Sequence, residues 1–71
     1  MLKKSVLIAG RHSTSITIEK EFMDELVRIV SEQSTTINAL VTEIDKNRTN
    51  RNLSSAIRIY ILEYIKKAKS I

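Results

Sequence analysis

The chain of 71 residues contains no cysteine and no proline, only one glycine (Gly10) and only one histidine (His12). Without cysteine it can form neither a disulfide nor a thiolate zinc site, and one histidine with two distant aspartates indicates no metal centre. A domain of this size buries only about 60% of its unfolded surface, so its fold usually needs a disulfide, a bound metal or a partner subunit for stability. The sequence therefore predicts self-association, with no metal and no cofactor.

Long hydrophobic runs are also absent. No segment reaches the roughly 18 consecutive apolar residues of a membrane-spanning helix. The apolar stretch at residues 5–10 (SVLIAG) is too short and too weakly flanked for a secretory signal. The sequence therefore predicts no interaction with a membrane and a location in the cytoplasm.

The sequence gives little support for a catalytic function. His12 lies beside Ser13 and Ser15, residue types that nucleophilic hydrolases use. A catalytic triad also needs an orienting carboxylate and an oxyanion hole, and the sequence offers no glycine-rich turn to build one. We therefore expect a protein that is not an enzyme.

Acidic residues are missing from residues 1–18, and the net charge changes sign along the chain. Residues 1–18 carry a net charge of +3, residues 19–45 carry −5, and residues 46–71 carry +6. Basic ends around an acidic middle indicate a face that binds a polyanion. Solvation and complementation of helix ends would explain the same pattern equally well.

Residues 11–19 (RHSTSITIE) predict a β-strand, because two isoleucines alternate with small hydroxyl residues. The strand needs a partner for its backbone groups. Residues 5–9 could fold back on it as a hairpin through Gly10 and Arg11, or the same strand of a second chain could pair with it. The turn lacks the Asn-Gly or Asp-Gly pair of tight hairpins, and a second chain would also cover surplus apolar surface. The sequence therefore favours an antiparallel ribbon between two chains.

Three helices are predicted after the strand from apolar spacings near 3.6 residues. The first spans about residues 19–32, the second lies between the STT turn and the wholly polar run at residues 45–52, and the third spans about residues 53–69. The third helix is apolar over more of its surface than one small chain should cover. The predicted core, shared between two chains, consists of Ile16, Ile18, Phe22, Leu26, Ile37, Leu40, Val41, Ile44, Ile57, Tyr60 and Ile61.

A two-stranded ribbon packed on helices has one free face, which fits the major groove of DNA. The residues predicted to contact bases are Arg11, Ser13, Ser15 and Thr17. The residues predicted to contact phosphates are Lys3, Lys4, Thr35, Thr36, Arg48 and Arg51. The alternative is that the strand is a solvent-facing edge and that its serines and threonines only keep it soluble. For the two threonines it is ordinary helix capping, which is compatible with phosphate binding by the backbone N–H groups beside them.

The order of these elements resembles the ribbon-helix-helix superfamily of Arc and the methionine repressor. The motifs TSITIEKEFMDEL, LVTEID and NLSSAIRIYIL are similar to those of a bacterial subfamily of small ribbon-helix-helix proteins with a C-terminal extension, and they lie within about residues 5–65. The resemblance implies an intertwined homodimer that binds operator-like DNA through paired strands. It also implies that Ser13, Ser15 and Thr17 face the groove.

The sequence thus predicts a mostly α fold with one short β-strand, an intermolecular ribbon and a third, C-terminal helix. Residues 1–10 would be a basic arm with a possible extra strand, residues 11–49 the ribbon-helix-helix core, and residues 50–71 a helical extension. The predicted function is a sequence-specific, DNA-binding transcription regulator, a repressor at the nucleoid, with double-stranded DNA and further copies of the chain as partners and no small-molecule ligand. A dimeric interaction module that does not bind DNA, or an antitoxin, is the alternative.

Overall fold

A computed structural model describes residues 1–69 of the chain. The elements in order are β1 (Leu2–Ile8), β2 (His12–Ile18), α1 (Lys20–Glu32), α2 (Ile37–Asn47) and α3 (Leu53–Lys69). The three predicted helices are all present, and α2 continues three residues into the polar run where the sequence predicted a loop. Residues 70 and 71 of the predicted C-terminal extension lie outside the described residues.

The two strands form an antiparallel hairpin within one chain, with Leu2 opposite Ile18 and Ile8 opposite His12. Within the chain β2 therefore pairs with β1, the alternative that the sequence favoured less, and the chain contributes two strands where one was predicted. Pairing of β2 with a second chain stays a prediction. The connecting loop has positive φ at Ala9 (55°) and Gly10 (71°), and the N–H of Arg11 donates to the C=O of Ile8 at 3.2 Å. Two successive positive φ values are the requirement of a tight hairpin turn. An Ala-Gly pair meets that requirement here, without the Asn-Gly or Asp-Gly sequence that is typical of such turns.

The inner face of the hairpin packs on the helices. Val6 from β1 and Ile16 and Ile18 from β2 are at most 2% exposed, and Ile8 is 8% exposed. Lys4 has the same parity as these residues but is exposed. Period-2 alternation in both strands therefore fixes which face of the hairpin is buried and which is open.

The outer edge of β1 is hydrogen-bonded by side chains of α2. The N–H of Leu7 donates to Oδ1 of Asn38 at 3.0 Å, and the N–H of Ala9 donates to Oγ1 of Thr42 at 3.0 Å. Unpaired N–H groups on a sheet edge attract other strands. In this chain α2 covers that edge from Leu7 to the loop.

The core is closed by a single chain. Most predicted core residues are buried, while Phe22, Ile37 and Tyr60 pack against the core and are partly exposed. α3 buries Ala56, Ile57 and Ile61 on one side. The hairpin and the other two helices cover only the inner side of α3, so the inference that a second chain covers the rest of its apolar surface stays a prediction. Three large apolar side chains of the helices stay exposed: Val27 on α1 at 51%, and Ile59 and Leu62 on α3 at 48% and 54%.

The turn between α1 and α2 stops α1 with a left-handed residue. Ser34 has φ of 53°, its N–H donates to the C=O of Ser31 at 3.2 Å, and the N–H of Thr35 donates to the C=O of Val30 at 3.0 Å. This is the hydrogen-bond pattern of a Schellman motif, whose left-handed position is usually glycine. The turn therefore places a serine in a conformation that disfavours a side chain.

Candidate nucleic-acid interface

The outer face of the hairpin is exposed and carries short side chains. The cross-strand pairs on this face are Lys3 with Thr17, Ser5 with Ser15, and Leu7 with Ser13. All six side chains are exposed, and we refer to these six residues as the outer face. Three of the predicted base-contacting residues therefore lie together as expected from their alternation.

Half of the outer face was missed or assigned another role from sequence. Ser5 and Leu7 were not predicted at all, and Lys3 was predicted to contact phosphate. The reason is the strand partner that was predicted, since a ribbon made from two copies of β2 has no place for β1. The period-2 alternation of Val6 and Ile8 was the available signal.

The hairpin carries positive charge that no acidic side chain opposes. Lys3, Lys4 and Arg11 have no ion-pair partner within residues 1–69, and no acidic residue occurs before Glu19. Arg11 lies in the hairpin loop and is exposed, whereas Lys4 has the parity of the inner face. The outer face therefore has Lys3 at one end and Arg11 beyond the other.

Most of the acidic side chains on α1 form ion pairs with basic side chains. Lys20 pairs with Asp24 at 2.9 Å. Arg28 pairs with both Glu25, at 2.7 Å, and Glu32, at 2.9 Å. The pKa of the Glu25 carboxyl lies below its usual value, mainly because Arg28 donates a hydrogen bond to this group. Ion pairs therefore engage three of the four carboxylates of α1, while the helix keeps the net negative charge that its sequence gives.

The end of β2 is held by side chains at the start of α3. The N–H of Thr17 donates to Oγ of Ser54 at 3.1 Å, and Nη2 of Arg58 donates to the C=O of Thr17 at 3.2 Å. Nε of the same arginine donates to Oε1 of Glu19 at 2.7 Å. This hydrogen bond is the main reason why the pKa of the Glu19 carboxyl lies below its usual value. Thr17 is thus fixed through its backbone while its side chain stays free on the outer face.

The start of α2 presents backbone N–H groups. Oγ1 of Thr36 accepts from the N–H of Ala39 at 3.1 Å, which confirms this threonine as the N-cap. The helical ladder begins where the N–H of Leu40 donates to the C=O of Thr36 at 2.9 Å. The helix itself therefore leaves the N–H groups of Ile37 and Asn38 unused, as at every helix N-terminus. The N–H of Thr35 is occupied in the preceding turn.

The two arginines before α3 differ in their freedom. Nε of Arg48 pairs with Oδ1 of Asp45 at 2.9 Å, and its Nη1 donates to the C=O groups of Asn50 and Arg51. Arg51 has no ion-pair partner within residues 1–69 and is exposed. Both arginines line a polar groove of about 480 Å³ beside β2, and Ser15 and Ser54 line the same groove. Arg48 would have to leave Asp45 to reach a phosphate, whereas Arg51 is free to do so.

No helix within residues 1–69 is both long enough and apolar enough to cross a membrane. A scan against protein-family models matches the ribbon-helix-helix domain over residues 1–65, which include the hairpin, α1, α2 and most of α3. Comparisons with curated proteins and with solved structures give no match. Domains of the matched family are generally DNA-binding transcription regulators or antitoxins, are not enzymes, and typically bind DNA as dimers. The resemblance seen in the sequence is confirmed, and the chain belongs to the ribbon-helix-helix family.

Proposed function

We propose that the protein is a sequence-specific, DNA-binding transcription regulator that inserts the outer face of its hairpin into the major groove. The observation that carries the proposal is the hairpin itself. It is a two-stranded ribbon with six exposed, mostly small polar side chains on one face and no acidic residue in residues 1–18. A major groove about 12 Å wide admits such a ribbon. In this proposal the ribbon comes from one chain, not from two.

Contacts to base edges come from the outer face and contacts to phosphates from its surroundings. Ser13, Ser15 and Thr17 offer hydroxyls to base edges, and Arg11 at the loop reaches a guanine edge or a phosphate. The phosphate contacts come from Lys3, Lys4, Arg51, Arg48 once it leaves Asp45, and the α2 start at Thr35 and Thr36. Phosphate contacts position the protein without selecting sequence.

We propose repression by occlusion, since a ribbon that fills the major groove at an operator needs no further surface to exclude another protein. Such a protein acts at the nucleoid, in the cytoplasm.

Selection of bound fragments from random duplex DNA at moderate salt tests the proposal and yields the site. Ser15→Ala and Thr17→Ala are then titrated against the selected and a scrambled duplex. Each lost base contact should weaken binding to the selected duplex by about 1–3 kcal/mol and leave the scrambled duplex unaffected. Ser31→Ala is the matched control, because Ser31 is an exposed serine on α1, outside the outer face. Equal behaviour of all three variants would rule out the outer face as the reading surface.

The salt dependence of binding provides a separate test. With about three to five phosphates neutralised per chain, log K against log[salt] should fall with a slope of roughly −5 to −9 for a dimer. A flat response would remove the phosphate contacts from the proposal.

We also propose that the protein binds DNA as a homodimer, and that a second copy packs on the outer side of α3. Ile59 and Leu62 are 48% and 54% exposed, and they share one helical stripe with exposed Glu63 and Lys66. In an antiparallel pair of α3 helices the acidic position of one copy lies near the basic position of the other. The surface is therefore complementary to itself in charge as well as apolar.

Sedimentation tests the dimer. Leu62→Glu should be monomeric at a concentration where the parent chain is dimeric, and it should keep its helical content. Val27→Glu is the matched control, since Val27 is a similarly exposed residue, 51%, on a different helix. A parent chain that sediments as a folded monomer of about 8 kDa at micromolar concentration would refute the dimer.

A protein-interaction module or antitoxin on the same fold is the second candidate. A groove of about 480 Å³ between α2 and α3 has an apolar floor that includes Leu40, Ile44 and Tyr60. A partner protein seated there would not need the hairpin. This function predicts that random duplexes yield no selected sequence. It also predicts that Glu43→Lys, at an exposed residue that lines the groove, abolishes activity in the cell whereas Thr17→Ala does not.

A further inference from the structure

We infer that Leu7 is a specificity-determining residue that contacts the 5-methyl group of a thymine in the major groove. The inference rests on the proposed function and adds β1 to the reading surface. Leu7 is 39% exposed and lies opposite Ser13 on the outer face. It is the only wholly apolar side chain among the six residues of that face.

The outward direction of Leu7 is imposed by its neighbours. Val6 is 2% exposed and Ile8 is 8% exposed, so both point into the core. Successive residues of a strand point to opposite faces, and Leu7 between them has to point outward. A single exposed leucine is ordinary on a protein surface. This one differs because it stands on a face otherwise built from hydroxyls and a lysine.

The backbone at Leu7 is fixed independently of its side chain. Its N–H donates to Oδ1 of Asn38 at 3.0 Å, and two residues later Ala9 is held by Thr42 at 3.0 Å. α2 therefore sets the height of this part of β1. A substitution that shortens the side chain of Leu7 keeps the anchoring bond, so the side chain can be tested without moving the strand.

The chemistry of the groove supplies the ligand for an apolar side chain. The 5-methyl group of thymine is the apolar group that base pairs present in the major groove, and apolar side chains contact it. Serine and threonine hydroxyls donate to or accept from the polar groups of base edges and do not recognise a methyl group. Residues two apart on a strand are about 6.6–6.8 Å apart, close to the rise of about two base pairs. Ser5 and Leu7 would thus read alternate base pairs, with the thymine at the loop end.

The experiment replaces each thymine of the selected duplex in turn by deoxyuridine, which removes only the methyl group. At one position the parent chain should lose roughly three- to ten-fold in affinity. Leu7→Ala should lower affinity for the thymine duplex by a similar factor and show no further loss with deoxyuridine. Such a thermodynamic cycle isolates the contact between the two groups. Leu2→Ala is the matched control, because Leu2 is 43% exposed but has the inner-face parity.

The outcomes separate this inference from the proposed function. If no duplex is selected, the proposed function itself fails. If a duplex is selected but no deoxyuridine position weakens the parent chain, or if the same loss persists in Leu7→Ala, the contact between Leu7 and thymine is refuted while DNA binding stands. A change of sedimentation in Leu7→Ala would assign the side chain to a protein interface and overturn the inference. Matching thermal midpoints for Leu7→Ala and Leu2→Ala confirm that both variants are folded.

Discussion

Replacing Ser34 by glycine should stabilise the protein. Ser34 has φ of 53° at the end of α1, a conformation that costs a residue with a side chain about 1–2 kcal/mol and glycine almost nothing. Glycine gives back roughly 0.5–1 kcal/mol through the greater freedom of the unfolded chain. The net gain is about 0.5–1 kcal/mol, which for a domain of this size raises the thermal midpoint by about 2–8 °C.

Thermal unfolding followed by circular dichroism at one fixed protein concentration measures this effect, because association would make the midpoint depend on concentration. Ser31→Gly is the matched control. Ser31 is an exposed serine three residues earlier that lies within α1, where glycine costs about 0.5 kcal/mol relative to serine. The two glycines should therefore shift the midpoint in opposite directions. A lower midpoint for Ser34→Gly would show that residue 34 is not left-handed and that the Schellman geometry is absent.

Four further predictions concern the hairpin loop, the start of α2 and two titrating groups. Gly10→Ala should destabilise by about 1–2 kcal/mol in a thermal melt, because φ is 71° there. No heavy atom lies within 4 Å of the added Cβ, so a clash contributes nothing, and an unchanged midpoint would contradict the loop conformation. Thr36→Ala should cost about 1 kcal/mol of stability and weaken all duplexes about equally, whereas a loss confined to the selected duplex would make Thr36 a base-reading residue. The pKa of Glu19 is lowered by its hydrogen bond from Arg58. Its contribution to stability is therefore complete above the pKa of the unfolded chain and is lost as pH falls through the native pKa. In denaturant titrations from neutral pH to below about pH 4, Arg58→Gln should lose less stability than the parent, and parallel curves would show that the pair is not formed. The pKa of Tyr64 is raised by its hydrogen bond to a glutamate of α1. The stability from this bond is present below about pH 10 and disappears as pH rises through the raised pKa, so Tyr64→Phe should flatten the alkaline limb of the same titration.

The helices and their caps were predictable because their signals are local. Apolar spacing gave three helices in the right places, and the side chain of Thr36 caps α2 as predicted. The side chain of Asn52 caps α3 in the same way. Oδ1 of Asn52 accepts from the N–H of Ser55 at 3.0 Å. A cap depends on residues only three apart, which a sequence pattern contains.

The hairpin was mispredicted because one turn rule outweighed the strand pattern. Ala9 has a positive φ, which is uncommon for alanine and cannot be predicted from its residue type. Its N–H donates to Oγ1 of Thr42 on α2. That bond joins residues 33 apart in sequence and has no local signal. The same dependence on tertiary contacts explains why Ser5 and Leu7 were absent from the predicted site. Buried Val6 and Ile8 were the only hint that residues 2–8 form a strand.

Closure of the hairpin and core within one chain has a kinetic consequence. In an intertwined dimer each ribbon needs strands from two molecules, so folding is second order and subunits exchange only by unfolding. In this chain β1 and β2 are separated by three residues, and such local contacts form early and fast. Refolding should therefore follow a single rate that does not change with protein concentration. Two differently tagged populations should also exchange subunits on mixing, without denaturant, at the dissociation rate of the α3 contact.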